Sequence, residues 1–232
     1  MFTGIIEHFG TIESLTVGNE GGRVTIHAPT LAGSLTISSS IAVNGCCLTV
    51  VSLENGRFSA DLSGETVRKT SFGAGASGLR QGARVNLEQP LTAGKEFGGH
   101  FVLGHVDTTG SVVGLQADGE SWVYSVRVPE DFARNIVNKG SITIDGISLT
   151  VAGWHEFTAS FTSASPRSVV QIAVIPYTYE HTNIRDRKPG DSVNLEGDVL
   201  GKYVERYLAA RSGGTGETPS ELTVAKLTEQ GF

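Results

Sequence analysis

Short stretches in which apolar and polar side chains alternate dominate the chain. Arg23-Val24-Thr25-Ile26-His27 and Ser121-Trp122-Val123-Tyr124-Ser125-Val126-Arg127-Val128 put every second side chain on one face, the period of a half-buried strand. Val, Ile and Thr are frequent in such runs and 30 glycines punctuate them, which predicts antiparallel strands joined by tight turns. Asn44-Gly45 and Asp145-Gly146 lie between apolar runs, and such pairs accept the positive φ angles that a two-residue hairpin demands. Three stretches have another pattern. Residues 29–35 and 129–137 open on Pro29 and Pro129, each suited to a first helical turn, and are expected to plug barrel ends. Residues 198–211 carry Leu200, Tyr203, Val204, Tyr207 and Leu208 at helical spacing, predicting a helix whose apolar face needs a partner in the barrels or in other subunits. Ser212-Gly213-Gly214-Thr215-Gly216 then reads as a linker, so 212–232 is expected to be a flexible tail, with a loosely held last helix at 221–230.

The pattern is written twice. Thr3-Gly4-Ile5-Ile6-Glu7 returns as Leu103-Gly104-His105-Val106-Asp107, and Ser40-Ile41-Ala42-Val43-Asn44-Gly45-Cys46-Cys47-Leu48-Thr49-Val50 as Ser141-Ile142-Thr143-Ile144-Asp145-Gly146-Ile147-Ser148-Leu149-Thr150-Val151. Val85-Asn86-Leu87-Glu88 closes the first copy as Val193-Asn194-Leu195-Glu196 closes the second. A period of roughly 100 residues is that of a small domain rather than a solenoid unit. About six strands per copy hide their edges best by closing on themselves. The expected fold is all-β: two tandem six-stranded antiparallel Greek-key barrels with short plug helices, plus a C-terminal α-helix. The expected divisions are 1–97, 98–197, a helix at 198–211 and a tail at 212–232.

Composition narrows the function. The net charge is −6 with no basic run, so nothing favours nucleic acid, which needs clustered Lys and Arg to neutralise phosphate. The sequence has no apolar stretch of membrane or signal length, and a soluble cytoplasmic protein is expected. Cys46 and Cys47 are adjacent, so on a strand they face opposite ways and read as free thiols of a reducing compartment.

Several motifs invite chemistry. Gly73-Ala74-Gly75-Ala76-Ser77-Gly78 fits a dinucleotide-binding glycine pattern. It precedes a further strand rather than a helix, so it reads as a loop. His100, His105 and Asp107 resemble a metal set but lack a second supporting cluster, which favours polar residues facing a pocket. Cys47 is a candidate nucleophile whose equivalent in copy two is Ser148. Both copies thus put a small hydrogen-bonding group just after a hairpin, where it would face a polar ligand.

Together, Met1-Phe2-Thr3-Gly4-Ile5-Ile6, Asn44-Gly45-Cys46-Cys47-Leu48-Thr49-Val50, Gly98-Gly99-His100-Phe101-Val102-Leu103-Gly104-His105-Val106 and Asp145-Gly146-Ile147-Ser148-Leu149-Thr150-Val151 resemble the alpha-chain type of the riboflavin synthase family. The resemblance spans about residues 1–210, in order and with the repeat included. It implies tandem barrels and a C-terminal helix assembled as a homotrimer. It also implies dismutation of two 6,7-dimethyl-8-ribityllumazine molecules to riboflavin and 5-amino-6-ribitylaminouracil, the last step of riboflavin biosynthesis, with no metal or organic cofactor. A lumazine synthase is the implied macromolecular partner. The alternative is a lumazine- or flavin-carrying relative without activity; such relatives tend to lose the Gly-Gly-His-x-x-x-Gly-His segment and the Ser-Leu-Thr of copy two, which this chain keeps.

The resemblance also maps a site. Its first-barrel pocket falls on Gly4, Ile5, Ile6, Cys47, Leu48, Thr49, Asp61, Leu62, Ser63, Gly64, Glu65 and Thr66. Its second-barrel pocket falls on Gly104, His105, Val106, Lys139, Ser148, Leu149, Thr150, Ala173, Val174, Ile175, Pro176, Tyr177 and Thr178. Ser148, His105 and Cys47 are the implied catalytic residues, at a site shared between the first barrel of one chain and the second of its neighbour. Two departures stand out. Copy two carries extra sequence within 154–171, read as an extended hairpin, and Tyr177 stands where copy one has Glu65.

Overall fold

The structure, a computed structural model, describes residues 1–157 and 167–212. The alternating runs become the expected strands. Copy one supplies β1 (His8–Gly18), β2 (Gly21–His27), β3 (Ser40–Val43), β4 (Cys46–Glu54), β5 (Arg57–Ser63) and β6 (Arg84–Glu88). They close into a barrel in the order β1-β2-β5-β4-β3-β6, every pairing antiparallel. Copy two repeats the topology with β7 (Thr108–Asp118), β8 (Ser121–Arg127), β9 (Ser141–Ile144), β10 (Ile147–Phe157), β11 (Arg167–Val174) and β12 (Ser192–Gly197). The β2-β5-β4-β3 neighbourhood is a Greek key. Closure removes the sheet edges.

The hairpin signals act as read. Asn44 and Gly45 take φ of 45° and 75°, and Asp145 and Gly146 take 47° and 80°, left-handed values that let the turn follow the twist of its strands. The register slips between Ile12 and Ser14 in β1 and between Val112 and Gly114 in β7. Bulges at equivalent points bend both barrels in the same way. Inward positions fill two cores: Ile12, Val24, Ile26, Phe58 and Leu87 in the first, and Val112, Tyr124, Val126, Ile144 and Leu195 in the second.

The plug helices are shorter than their sequence windows. Each is a single turn, α1 (Pro29–Ala32), with Leu31 buried, and, with α2 spanning Gly64–Lys69, α3 (Glu130–Ala133), with Phe132 buried. One turn is enough to drop one apolar side chain into a barrel end, and Ser34 closes the first by donating its N–H and its hydroxyl to the Leu31 carbonyl. Before α2, Ser63 Oγ accepts from the Thr66 N–H at 3.0 Å, an N-cap. In copy two α4 (Pro176–Glu180) follows Ile175, a residue with no side-chain acceptor to offer. The glycine pattern at 73–78 contains a short 3₁₀ turn over Gly75–Ser77 and leads to β6, so it is a loop.

Residues Met1–Val199 form one compact unit holding both barrels, and a second unit begins at Leu200. The final helix, α5 (Val199–Ser212), keeps Leu200, Tyr203, Val204, Tyr207 and Leu208 exposed. β10 and β11 remain paired out to Phe157↔Arg167, whereas β4 and β5 stop at Glu54↔Arg57. The described part of the copy-two insertion is therefore hairpin. Residues 158–166 of it, and the linker and last helix expected from 212 onward, fall outside the described residues apart from Ser212, the last residue of α5.

The barrels meet at their repeated turns. A Cβ added to Gly45 would lie 2.7 Å from the Gly146 nitrogen, so only glycine fits the back-to-back approach. Around it Asn44 Oδ1 accepts from the Asn86 N–H (2.7 Å), and Asp145 Oδ1 accepts from the Asn194 N–H (2.9 Å). Asn194 Nδ2 donates across to the Asn44 carbonyl (2.8 Å) and Asn86 Nδ2 to the Asp145 carbonyl (2.9 Å). The one charge introduced by Asp145 is met by the buried guanidinium of Arg187.

Candidate active site

The segments that open the two copies are exchanged. Phe2 and Val102 pair as a short antiparallel bridge, and beyond it each chain segment lies on the barrel of the other copy. The Cys47 N–H of β4 donates to the Gly104 carbonyl (2.9 Å), while the Ser148 N–H of β10 donates to the Gly4 carbonyl (2.8 Å). Val106 packs against the core of barrel one and Ile6 against that of barrel two. Gly4 (φ 77°) and Gly104 (φ 78°) make the approach; a Cβ on Gly4 would come within 2.7 Å of Ser148 and one on Gly104 within 2.6 Å of Cys47 Cβ.

This exchange regroups the residues mapped from the sequence. Gly104, His105 and Val106 were expected around the second barrel and instead join Cys47. With Cys46, Ser63, Glu65, Thr66, Lys69 and Thr70 they line a cleft of about 400 Å³ on barrel one. Gly4, Ile5 and Ile6, expected at the first barrel, lie at Ser148. The physical reason is that an opening segment needs an apolar slot and a free N–H, and both barrels provide the same ones. His105 and Ser148 are therefore not partners.

Ser148 has another partner. His100 Nδ1 lies 2.7 Å from Ser148 Oγ, and His100 Nε2 lies 3.0 Å from Thr143 Oγ1 on β9. Burial pushes the His100 pKa below its usual value, against the opposing pull of Asp198, so the ring is held neutral. A neutral imidazole that donates Nε2–H to Thr143 presents Nδ1 as an acceptor to the Ser148 hydroxyl. The sequence points to His100 as a polar residue facing a pocket and as part of the Gly98-Gly99-His100 motif, but not to its pairing with Ser148. The aligned part of the copies opens at Thr3 and Leu103, so comparison of the copies could not reach residue 100. The metal set comes apart: His100 is held by two hydroxyls, His105 faces the barrel-one cleft, and Asp107 accepts from the Gly197 N–H at 2.9 Å. Among the described residues no group of His, Cys, Asp and Glu converges as metal ligands do.

The remaining residues divide by direction. Cys47 is half-buried at the cleft, while Cys46 points inward, its thiol pushed up to about 12 chiefly by burial. Both thiols are free. Leu48, Leu62, Leu149 and Val174 are core residues. Thr49, Thr150, Ala173, Ile175, Pro176 and Tyr177 are exposed, and Gly64 and Thr178 are half-buried. Asp61 faces outward, where the Arg23 guanidinium 2.6 Å away holds its carboxyl below the usual range. Tyr177 stacks on His181 with ring centroids 4.0 Å apart, and Lys139 (φ 63°) donates its Nζ to the Ala152 carbonyl at 3.4 Å. Lys69 and Thr70 of the cleft were not foreseen; they are the last residue and the C-cap of α2, a helix whose pattern is too short to read.

A family model described as "Lumazine binding domain" matches residues 3–90 and again 103–198. The riboflavin synthase of Actinobacillus pleuropneumoniae is 39% identical over 232 residues, all of both chains, and that of Bacillus subtilis 38% identical over the same span. The riboflavin synthase of Mycobacterium tuberculosis is 43% identical over 216 residues, 92% of this chain and 100% of its own. The chain belongs to the riboflavin synthase family. Among solved structures, LumP complexed with 6,7-dimethyl-8-(1'-D-ribityl) lumazine superposes with a TM-score of 0.70 at 23% identity, covering 85% of this chain and 99% of that one. LumP complexed with riboflavin gives 0.72 at the same identity. At that identity the likeness shows the shared tandem-barrel fold. Riboflavin synthase relatives at 38 to 43% identity carry the functional comparison.

Proposed function

We infer that the chain catalyses the riboflavin synthase reaction, in which one 6,7-dimethyl-8-ribityllumazine gives a four-carbon unit to a second. The products are riboflavin and 5-amino-6-ribitylaminouracil. The observation that carries this reading is end-to-end similarity to riboflavin synthases, with both copies of the binding module present. Incubating the purified protein with the lumazine tests it: riboflavin fluorescence should grow with turnover, whereas a carrier would bind the chromophore and stop.

The chemistry makes modest demands on side chains. The 7-methyl of the lumazine is acidic because its carbanion is delocalised into the ring, so the protein must mainly hold two rings face to face and handle one proton near that carbon. Holding the pair is worth up to about 7–11 kcal/mol. We assign the proton-handling role in barrel two to Ser148 with His100 behind it. His105 and Cys47 are assigned to the barrel-one cleft, where Ser63, Glu65, Thr66 and the Gly104 and Val106 backbone contact the other lumazine. Gly4, Ile5 and Ile6 serve the barrel-two pocket with Lys139, Thr150, Ile175, Tyr177 and Thr178. Neither a metal nor an organic cofactor enters this scheme.

The two barrel-bearing halves, 1–97 and 98–197, are taken as the two lumazine-binding modules, and 198–211 as the oligomerisation helix of a homotrimer. The exposed apolar side chains of α5 support that assembly, since they need a cover. In the trimer the cleft of one chain's barrel one would face barrel two of its neighbour. A cytoplasmic setting suits the two free thiols. A lumazine synthase, as supplier of the substrate, remains the proposed partner.

A further inference from the structure

The exchanged segments are held by two buried carboxylates that the proposed chemistry does not use. Glu88, at the end of β6, is 3% exposed; its Oε1 accepts from the Thr3 N–H (2.7 Å) and the Thr3 hydroxyl (2.8 Å), and its Oε2 from the Gly4 N–H (3.0 Å). Glu196, at the equivalent place in β12, is 2% exposed; its Oε1 accepts from the Leu103 N–H (2.7 Å) and its Oε2 from the Gly104 N–H (3.0 Å). Burying a carboxylate is costly unless both oxygens are hydrogen-bonded. Burial pushes the Glu88 pKa up, and the bonds from Thr3 and Gly4 oppose that rise. Here the compensation includes backbone N–H groups of an opening segment on both carboxylates, joined at Glu88 by the Thr3 hydroxyl. Each glutamate therefore fixes the segment of its own copy, and each segment ends in the pocket of the other.

We propose that Glu196 of barrel two is the positioning residue for the Cys47–His105 cleft of barrel one, and that Glu88 of barrel one is the positioning residue for the Ser148–His100 pair of barrel two. The path from Glu196 is short: Gly104 is clamped through its N–H, and its carbonyl receives the Cys47 N–H one bond further on. From Glu88 the clamp passes through Thr3, whose carbonyl accepts the His100 N–H at 3.1 Å, and through Gly4, whose carbonyl accepts from Ser148. Control of the two pockets is crossed. A disturbance made in one barrel is read in the other.

The ligands of these pockets rest on the function proposed above, but the test does not need turnover. Cys47 is half-covered by the Gly104–His105 segment, and Cys46 is buried with a thiol pushed up to about 12, so an aromatic disulfide reagent reports on Cys47 alone. Glu196→Gln keeps the shape but turns one acceptor into a donor facing a backbone N–H. Cys47 modification in the intact protein should accelerate at least about tenfold, the size of losing one charge-assisted bond. Glu88→Gln should change it by less than about twofold and should instead shift the His100 imidazole resonances, which Glu196→Gln should leave in place. Glu196→Asp, with the charge kept and the reach shortened, should give an intermediate rate and serves if the glutamine variant does not fold. An unchanged Cys47 rate in both Glu196 variants, or an equal rise in Glu88→Gln, would overturn the crossed assignment even in a protein that makes riboflavin. A crossed result in a protein without turnover would leave it standing and remove the functional reading instead.

Discussion

At the residue scale the pair that matters is Ser148 and His100, 2.7 Å apart. If the serine hydroxyl and the imidazole act as one unit, Ser148→Ala and His100→Gln should each lower turnover on the order of 10- to 1,000-fold, and the double variant should be little worse than either. Additive losses in steady-state rates on folded protein would show that the two act separately. Cys47→Ser should be milder, because a small hydrogen-bonding group is kept at the cleft. The sign of the pH dependence follows from burial. The His100 pKa lies below the usual 6.5 in the folded chain, so the ring stays neutral on acidification to values where an ordinary histidine is already charged. The acid limb of turnover should therefore fall below pH 6.5 and disappear in His100→Gln; a limb above that value would assign it to another group. By linkage, the unfolded chain takes up this proton first, so the stability tied to a neutral His100 is complete above about 6.5 and is lost as pH falls below it.

At the element scale the exchanged segments depend on two glycines. Gly4→Ala combines a left-handed φ of 77° with a Cβ 2.7 Å from the Ser148 backbone, and should destabilise the fold by at least about 1–3 kcal/mol. Thermal melts and ligand titration check this: the melting temperature should drop and barrel-two binding should weaken more than barrel-one binding, whereas Gly104→Ala should show the reverse order. The final helix makes a separate demand. Its apolar residues are exposed, so removing residues 198–232 should yield a monomer by sedimentation. That monomer should keep binding in the barrel-one cleft and lose most turnover if the working site is built between chains. Full activity in a demonstrated monomer would refute the intersubunit site.

At the scale of the whole molecule, the barrels are joined through a buried polar seam rather than a purely apolar one. Asp145 replaces the Asn44 of copy one and brings a charge that Arg187, 10% exposed, must match. Asp145→Ala strands that guanidinium and should cost about 3–5 kcal/mol of stability, measurable by denaturant unfolding. Asp145→Asn together with Arg187→Leu would copy the neutral arrangement of copy one and should recover much of the loss. Two equivalent modules also set a stoichiometry. Titration should find two lumazine-type ligands per chain, and a chelator should leave activity unchanged; activity lost to the chelator and restored by a divalent ion would contradict a metal-free reaction.

Much of this architecture was legible in the sequence because its causes are local. Alternation in Arg23–His27 and Ser121–Val128 dictates strands, Asn44-Gly45 and Asp145-Gly146 dictate turns, and duplication dictates two barrels, since a strand set that cannot hide its edges must close on itself. The equivalence of Cys47 and Ser148 likewise follows from their places after matching turns. Which segment meets which pocket was decided only in three dimensions. Ile6 and Val106 are both apolar residues at equivalent positions, so no local preference distinguishes exchange from self-docking, and His105, expected at the second barrel, lines the cleft of the first. His100 pairs with Ser148 across 48 positions and has no equivalent in copy one, and Glu88 and Glu196 look like ordinary strand-end carboxylates until the segments fold over them. Such contacts carry no sequence signal because each residue type is unremarkable where it stands; its role comes from the neighbour that the other copy supplies.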